Sequence, residues 1–352
     1  MRMRLLVSGG GTGGHFFPAL EVLKRAKKKG IPTLYVGAQR GIEKGFEHAI
    51  PGEKLFLELY PFRGVSVGKR VKALLSFWRG ISHLRSHTQG DFRTLVFGGY
   101  PSVPAGVHTV LKRKPLYLHE QNSVPSMTNR LLSHFGRKVF ITFEHSRKFF
   151  RGMKAVRTGL PIREELINTK LDKSNAKEAL GFKPEAPLVL FMGGSQGARF
   201  INNLAVDFAK KTGAPVLLLS GESDFERVSE LAQGVENFKV FPFRTDMGLV
   251  YSASEVAVCR AGAGTISELS YFEVPAVLIP YPYASGDHQF YNAREIEELG
   301  GAFTLRQEEV NLDRVVALVD RVFKNIKSMK ASIKSFANPT ASELILNEVL
   351  ED

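Results

Sequence analysis

Two glycine-rich loops hold the residues with the plainest chemical capacity. The first, Gly9-Gly10-Gly11-Thr12-Gly13-Gly14, runs directly into His15; the second is Gly193-Gly194-Ser195-Gln196-Gly197. A glycine loop between a strand and a helix turns backbone N–H groups and a helix N-terminus toward one point, which suits an anion. Glycine is needed there because a Cβ would hold the backbone away from phosphate oxygens. The first loop lacks a clean dinucleotide spacing and no Walker lysine follows it, so alone it specifies an anion and nothing more. His15 sharpens it: an imidazole at the helix start can orient a hydroxyl or take its proton, against the alternative of a structural histidine. In the second loop, Ser195 offers a hydroxyl beside the N–H groups to a diphosphate.

A third segment, Arg260-Ala261-Gly262-Ala263-Gly264-Thr265-Ile266-Ser267-Glu268, again follows a strand-like run and opens a helix. Glu268, about one turn inside, is placed to accept both hydroxyls of a ribose, as acidic residues do in dinucleotide-binding folds. The alternative is a capping box of Thr265 with Glu268. Farther on, Gly286-Asp287-His288-Gln289-Phe290-Tyr291-Asn292-Ala293 collects polar groups suited to sugar hydroxyls.

These loops need strands before them and helices after them. Strand-like runs occur at Arg4–Ser8, Thr33–Val36, Thr94–Phe97, Leu116–Leu118 and Val139–Thr142. In the second half they occur at Leu188–Met192, Val216–Ser220, Val240–Phe243, Val256–Cys259 and Ala276–Ile279. Alternation with helical patterns predicts an α/β chain of two doubly wound, Rossmann-like domains with parallel sheets. The hinge is expected at Gly159-Leu160-Pro161-Ile162, giving domains 1–158 and 159–339, with a last helix at about 340–352 that packs back on the first.

The 352 residues carry a net charge of +13, unevenly spread. Residues 1–158 hold 28 Lys and Arg against 8 Asp and Glu, whereas residues 159–352 hold 20 against 27. Such asymmetry points the first half at a polyanion: an anionic membrane, an anionic ligand or nucleic acid. No RNP, KH or helix-turn-helix signature supports nucleic acid. No apolar run reaches the roughly 18 residues of a membrane span. The apolar start at Leu5 stops at Ser8, too soon for a signal peptide. The single Cys259 excludes an internal disulfide and fits a reducing compartment.

Residues 68–85 read as a basic amphipathic helix. Val71, Leu74, Leu75, Phe77, Trp78, Ile81 and Leu84 cover about half its circumference, more than the stripe of roughly 100° that burial of one face needs. The surplus, with Lys69, Arg70, Lys72, Arg79 and Arg85 beside it, suits a membrane interface; the alternative is a helix wedged in the core.

Taken together, GGGTGGH at 9–15, GGYPSVPAG at 98–106, LHEQN at 118–122, GLPIR at 159–163, GGSQGAR at 193–199, RAGAGTISEL at 260–269 and DHQFYNA at 287–293 make the chain resemble the MurG family of peptidoglycan N-acetylglucosaminyltransferases. The resemblance runs in the family's order over nearly the whole chain. It implies the GT-B fold, with the two domains facing a cleft, and transfer of N-acetylglucosamine from UDP-N-acetylglucosamine to the muramoyl sugar of lipid I, forming lipid II. By it the second domain binds the donor and the first the lipid-linked diphosphate acceptor. Donor-side positions are then Thr12, Gly13, Gly14, Asn122, Arg163, Ser195, Gln196, Arg244 (through its backbone), Ala263, Gly264, Thr265, Glu268 and Gln289. Acceptor-diphosphate positions are Gly11, Thr12, Gly13, Gly14 and Tyr100, and the membrane-facing residues are Leu74, Leu75, Phe77 and Trp78. Gly264 and His288 depart from some relatives, which bears on side-chain contacts there and not on the loops.

The expected chemistry is an inverting displacement with His15, or else Glu120, as base. Helix N-termini and Arg163 would stabilise the departing diphosphate. No DxD pair is present, so the sequence requires no metal and no other cofactor. The expected place is the cytoplasmic face of the membrane, held peripherally. Rival readings are a UDP-N-acetylglucosamine 2-epimerase, a glycolipid synthase, an NAD-dependent oxidoreductase and a basic membrane scaffold.

Overall fold

The computed structural model describes residues 3–60, 67–194 and 197–351, with backbone alone for 67–71. Ser195 and Gln196, and the side chains of Lys69, Arg70 and Val71, therefore lie outside the described residues. The chain forms two units, one of residues 1–163 and 338–352, the other of residues 164–337.

In the first unit the strands are β1 (Arg4–Ser8), β2 (Thr33–Ala38), β3 (Glu53–Leu57), β4 (Phe92–Val96), β5 (Leu116–Glu120), β6 (Lys138–Ile141) and β7 (Lys154–Arg157). They pair in the order β3-β2-β1-β4-β5-β6-β7, all parallel. Alternation along each strand sorts side chains onto two faces. Leu5, Val7, Leu95 and Phe97 meet the Gly13–Lys28 helix on one face. Leu6, Val36 and Leu57 meet Leu84 and Ala105 of the Val67–His87 and Ser102–Leu111 helices on the other.

The second unit repeats the plan with β8 (Val189–Met192), β9 (Val216–Leu219), β10 (Phe238–Phe241), β11 (Val256–Cys259), β12 (Ala276–Leu278) and β13 (Ala302–Thr304). Their order is β10-β9-β8-β11-β12-β13, again all parallel. In both sheets the winding direction reverses next to the first strand, between β1 and β4 and between β8 and β11. Ligands of open α/β sheets bind at the carboxyl ends of the strands at such a switch point. The four loops there are the two glycine loops, Gly98-Gly99-Tyr100, and Arg260 to Gly264.

Three strands, β3, β7 and β13, have no counterpart among the sequence-predicted runs. Each is a sheet edge, and each is partly exposed along its length, so none needs a continuous apolar run. The expected hinge at Gly159 moves to Arg163: Gly159 N–H donates to the Ile141 carbonyl, and the Asn338 amide donates to the Thr158 carbonyl at 2.7 Å. These bonds keep residues 159–163 with the first sheet. The last helix, Ala341–Glu351, sets Ile345, Leu346 and Val349 into the core beside the Gly13–Lys28 helix. Arg25–Glu343 and Lys138–Glu348 ion pairs flank it. Among the described residues no helix is long and apolar enough to cross a membrane.

Candidate active site

The first glycine loop leaves β1 and enters the helix at Gly13, with Thr12 extended at the N-cap. Thr12 makes no side-chain cap. Its Oγ1 instead lies 2.8 Å from His15 Nδ1. That bond fixes the orientation of the ring; in the tautomer whose Nδ1–H donates to Thr12, Nε2 presents its lone pair as a base. The ring lies against Gly98, where a Cβ would fall 3.0 Å from His15 Cδ2 and 3.2 Å from Nε2. Gly98 also has φ +90°, so two independent reasons demand glycine. Gly99 lets the backbones meet, since a Cβ there would stand 2.2 Å from the Gly10 carbonyl oxygen. Tyr100 packs its ring over Gly11.

Behind this loop lies a residue the sequence reading missed. Glu43 has no exposed surface. Its Oε2 accepts from Gly11 N–H and its Oε1 from Ala38 N–H, each at 2.9 Å. Gly10 and Gly41 wall it in, for a Cβ on either would come within 2.3 Å of its carboxylate. The Tyr35 hydroxyl, bonded to the Gly9 carbonyl at 2.7 Å, has its pKa pushed up by burial and by this carboxylate. The spacing Gly37-x3-Gly41-x-Glu43 was the available signal. It also corrects one assignment: Gly11 N–H is already spent on Glu43, so an anion at this loop is left with Thr12, Gly13 and Gly14.

Glu120 ends β5 and is likewise fully buried. Oε1 accepts from Asn122 N–H at 2.9 Å, and Oε2 from Ser126 N–H at 3.1 Å and the Asn129 amide at 2.8 Å. Burial pushes its pKa up to about 7 against the pull of those bonds. A carboxyl group with no exposed surface cannot reach a substrate hydroxyl, which removes Glu120 as a direct base. It holds the 121–126 loop, and so the half-buried Asn122, in place. Neighbouring His119 donates from Nε2 to the Gly159 carbonyl at 3.0 Å and accepts at Nδ1 from the Gln121 amide at 3.3 Å, and burial brings its pKa down to about 4.

In the second unit, Gly193 and Gly197 let the loop double back: Gly197 N–H donates to the Gly194 carbonyl at 2.9 Å. A Cβ on Gly197, at φ +72°, would sit 2.1 Å from the Ser220 carbonyl oxygen. The Arg199–Thr212 helix follows with Ala198 as N-cap and no side-chain cap.

On the adjacent loop the Ala263–Phe272 helix is capped by Gly262 without any side-chain bond. Thr265 and Glu268 therefore form no capping box. Glu268 is half-buried and accepts from the buried Tyr251 hydroxyl at 2.7 Å, which fixes its carboxylate for another partner. Gly264 is exposed with open space where a Cβ would go, so a larger side chain fits there. Gln289 Oε1 accepts from Ala261 N–H at 3.2 Å and Tyr281 N–H at 3.0 Å, tying two strand-end loops together. Its Nε2 has no partner among the described residues.

Arg260 is the second residue whose role the sequence left unassigned. It follows Cys259, whose register partner Met192 precedes Gly193. Arg260 is 7% exposed as a residue, and its guanidinium bonds the Ile279 and Pro280 carbonyls and Gln307. It has no carboxylate partner among the described residues, and burial lowers its pKa. Arg244, by contrast, is spent on a two-pronged pair with Asp246 at 2.8 and 2.6 Å, which leaves its backbone as the part to meet a ligand. Arg163 lies partly exposed at the end of the first unit.

The Val67–His87 helix buries Ala73, Ser76, Ile81 and Leu84. Leu74, Leu75 and Trp78 are 50–55% exposed, while Phe77 is half-buried with its ring 5.3 Å from that of Trp78. A core wedge is excluded for the three exposed side chains.

Comparison with known proteins places these geometries in a lineage. The Glycosyltransferase family 28 N-terminal domain matches residues 5–141, and the family 28 C-terminal domain matches residues 188–345. The chain is 48% identical, over 98% of its length and 99% of the relative's, to the UDP-N-acetylglucosamine--N-acetylmuramyl-(pentapeptide) pyrophosphoryl-undecaprenol N-acetylglucosamine transferase of Aquifex aeolicus. It is 32% identical to the protein of the same name from Bacillus subtilis, covering 99% of both chains. Among solved structures it is similar to Acinetobacter baumannii MurG, with a TM-score of 0.80 and 25% identity over 99% of this chain and 100% of that one. A UDP-GlcNAc 2-epimerase from Neisseria meningitidis shares the fold alone, with a TM-score of 0.71 at 12% identity over 99% of this chain and 100% of that one.

Proposed function

The chain belongs to glycosyltransferase family 28, among the MurG-type transferases, and from that membership and the two loops we infer that it moves N-acetylglucosamine from UDP-N-acetylglucosamine to the muramoyl sugar of a lipid-linked diphosphate acceptor. The product is lipid II, the disaccharide precursor of peptidoglycan. The observation that carries this reading is the pairing of two kinds of switch-point loop in one chain. One presents a histidine oriented by a threonine; the other presents a carboxylate oriented by a tyrosine beside a buried arginine.

In the reaction we propose, the first unit holds the acceptor and the second the donor. Thr12 keeps the His15 Nδ1 proton, and His15 Nε2 takes the proton of the attacking sugar hydroxyl. The hydroxyl oxygen bonds to the anomeric carbon as the bond to the UDP oxygen breaks, inverting the centre. Glu268 accepts the ribose hydroxyls, and Gln289 Nε2 donates to the donor. Asn122, Arg163 and Ser195, with Gln196, are assigned to the donor sugar and diphosphate by their motifs, and Tyr100 to the acceptor. The Arg199–Thr212 helix N-terminus and Arg260 favour the negative charge that grows on the leaving group.

The exposed Leu74, Leu75 and Trp78 favour an anionic membrane over nucleic acid as the partner of the basic unit, with the protein peripheral on the cytoplasmic face. Mixing the protein with labelled UDP-N-acetylglucosamine, with and without a lipid-diphosphate muramoyl acceptor, tests the assignment. UDP release should depend on the acceptor. Epimerised sugar nucleotide without acceptor would overturn it in favour of the isomerase.

A further inference from the structure

A second basic feature lies in the first unit, on the turn after β6 and the helix before it. The Met127–Leu132 helix and the residues after it meet the 144–151 segment around a pocket of about 300 Å³. Arg130, His134, Lys148 and Arg151 line it, and no Asp or Glu does. Phe149 is its platform: the Arg130 guanidinium stands 4.8 Å and the Lys148 ammonium 5.2 Å from the ring centroid. Such stacking gathers two cations on one aromatic ring at the pocket, and cations so gathered suit phosphate oxygens. Along the same segment Met127, Leu131 and Phe135, spaced by four, are 54–63% exposed. Cations in a recess with an apolar strip beside it fit an amphiphile that has an anionic head.

We propose that this pocket binds the phosphate of an anionic membrane lipid's headgroup, with Met127, Leu131 and Phe135 against its acyl region. It is a second anchor, separate from the Val67–His87 helix, and it rests on the reading that this unit meets an anionic membrane. The pocket cations act at short range on one phosphate, whereas the +20 excess of residues 1–158 acts diffusely and is screened by salt.

The test is co-sedimentation of the full chain with phosphatidylcholine vesicles containing or lacking phosphatidylglycerol, at two salt concentrations. Arg130→Ala with Arg151→Ala should weaken binding about 10- to 30-fold, since each cation near the surface contributes roughly a factor of five. Phe149→Leu changes no charge, yet it should weaken binding severalfold by dispersing the stacked cations. Lys27→Ala with Lys28→Ala removes the same charge from the helix on the other face of the sheet and should cost less than threefold. If the wild type ignores phosphatidylglycerol, the membrane reading and the pocket both fall. If the wild type binds and both pocket variants bind equally well, the pocket alone falls. Inorganic phosphate titrated against the soluble protein separates the sources. Saturation by phosphate together with vesicle binding indifferent to Phe149→Leu would make this a free-anion site and overturn the lipid assignment.

Discussion

Replacing Glu43 by Gln is the sharpest test of how the first loop is held. The carboxylate accepts two backbone N–H groups, from Gly11 and Ala38, in a pocket closed to solvent. A glutamine has one oxygen to offer and turns an NH₂ toward the other N–H, leaving two donors opposed. The change forfeits one charge-assisted bond, worth about 1.5–3 kcal/mol, and strands a buried donor at about 1–3 kcal/mol. Relief of the buried charge offsets part of this, so the net loss should be about 2–4 kcal/mol. For a unit of this size that lowers Tm by roughly 5–15 °C. Because Gly11 leads into Thr12 and His15, kcat should fall with it while UDP affinity, a property assigned to the second unit, holds. Gly10→Ala attacks the same contact from the other side, with its Cβ 2.3 Å from Glu43 Oε1. Gly10→Ala should be severe alone and mild when combined with Glu43→Ala, giving a coupling above roughly 1 kcal/mol in a double-mutant cycle. Additive effects, or an unchanged Tm and kcat in Glu43→Gln, would refute the claim that this carboxylate positions the loop.

The remaining tests separate the other roles. Glu268→Ala should weaken UDP binding by about 1.5–3 kcal/mol in calorimetric titration with little change in Tm, and unchanged affinity would leave Glu268 a structural role beside Tyr251. His15→Ala should cut kcat by about 10²–10⁴ with UDP affinity near wild type, and retention of most of the rate would remove it as the base. Glu120 has a folded pKa of about 7, above its ordinary value, so the folded state binds its proton more tightly than the unfolded chain. Stability should therefore fall as pH rises from about 4.5 to 7, by an amount on the order of 3 kcal/mol, and the slope should vanish in Glu120→Gln, as chemical denaturation across that range would show. Leu75→Glu with Trp78→Glu should abolish binding to anionic vesicles and leave donor affinity intact; a folded double variant that still binds would return membrane contact to other surfaces.

Much of this arrangement is legible in the chain because buried parallel strands and glycine loops leave strong local marks. The central strands of both sheets appear as apolar runs, and the loops that follow them appear as glycine clusters. Edge strands leave weaker marks: β7 has only two half-buried residues, Ala155 and Val156, between an exposed lysine and an exposed arginine. Glu43 was invisible for a different reason. Its partners are backbone N–H groups, which every residue has, so only the glycines that make room for it betray the site. Glu120 shows the reverse failure. Its place in the HEQN motif suggests chemistry, and only burial reveals that its oxygens are fully used in shaping the loop. For Glu268 the T-x-x-E spacing matches a capping box, but the helix begins at Ala263 and puts Thr265 inside it, so helix register settled what the spacing left open.

The two glycine loops share a pattern and a place in their sheets, yet the charges set behind them are opposite. Behind the first is the Glu43 carboxylate, which makes no ion pair among the described residues. Near the helix that follows the second is the Arg260 guanidinium, 5.9 Å from the Phe200 ring centroid and bonded to carbonyl and amide oxygens with no carboxylate partner among the described residues. At an effective dielectric of about 20, a unit charge 4 Å away is worth roughly 4 kcal/mol, and the interaction falls off only as the inverse of distance. The first loop thus disfavours an anion close to Gly11 and leaves it the helix end at Gly13 and Gly14, whereas the guanidinium near the second unit's Arg199–Thr212 helix favours an anion at that helix start. The proposed reaction asks for this polarity. As the sugar hydroxyl attacks, positive charge appears on the first unit's imidazole and negative charge on the second unit's departing diphosphate. A fixed carboxylate on the side that becomes positive and a fixed guanidinium on the side that becomes negative both interact more strongly with the transition state than with the bound substrates, and only such differential stabilisation speeds the chemical step.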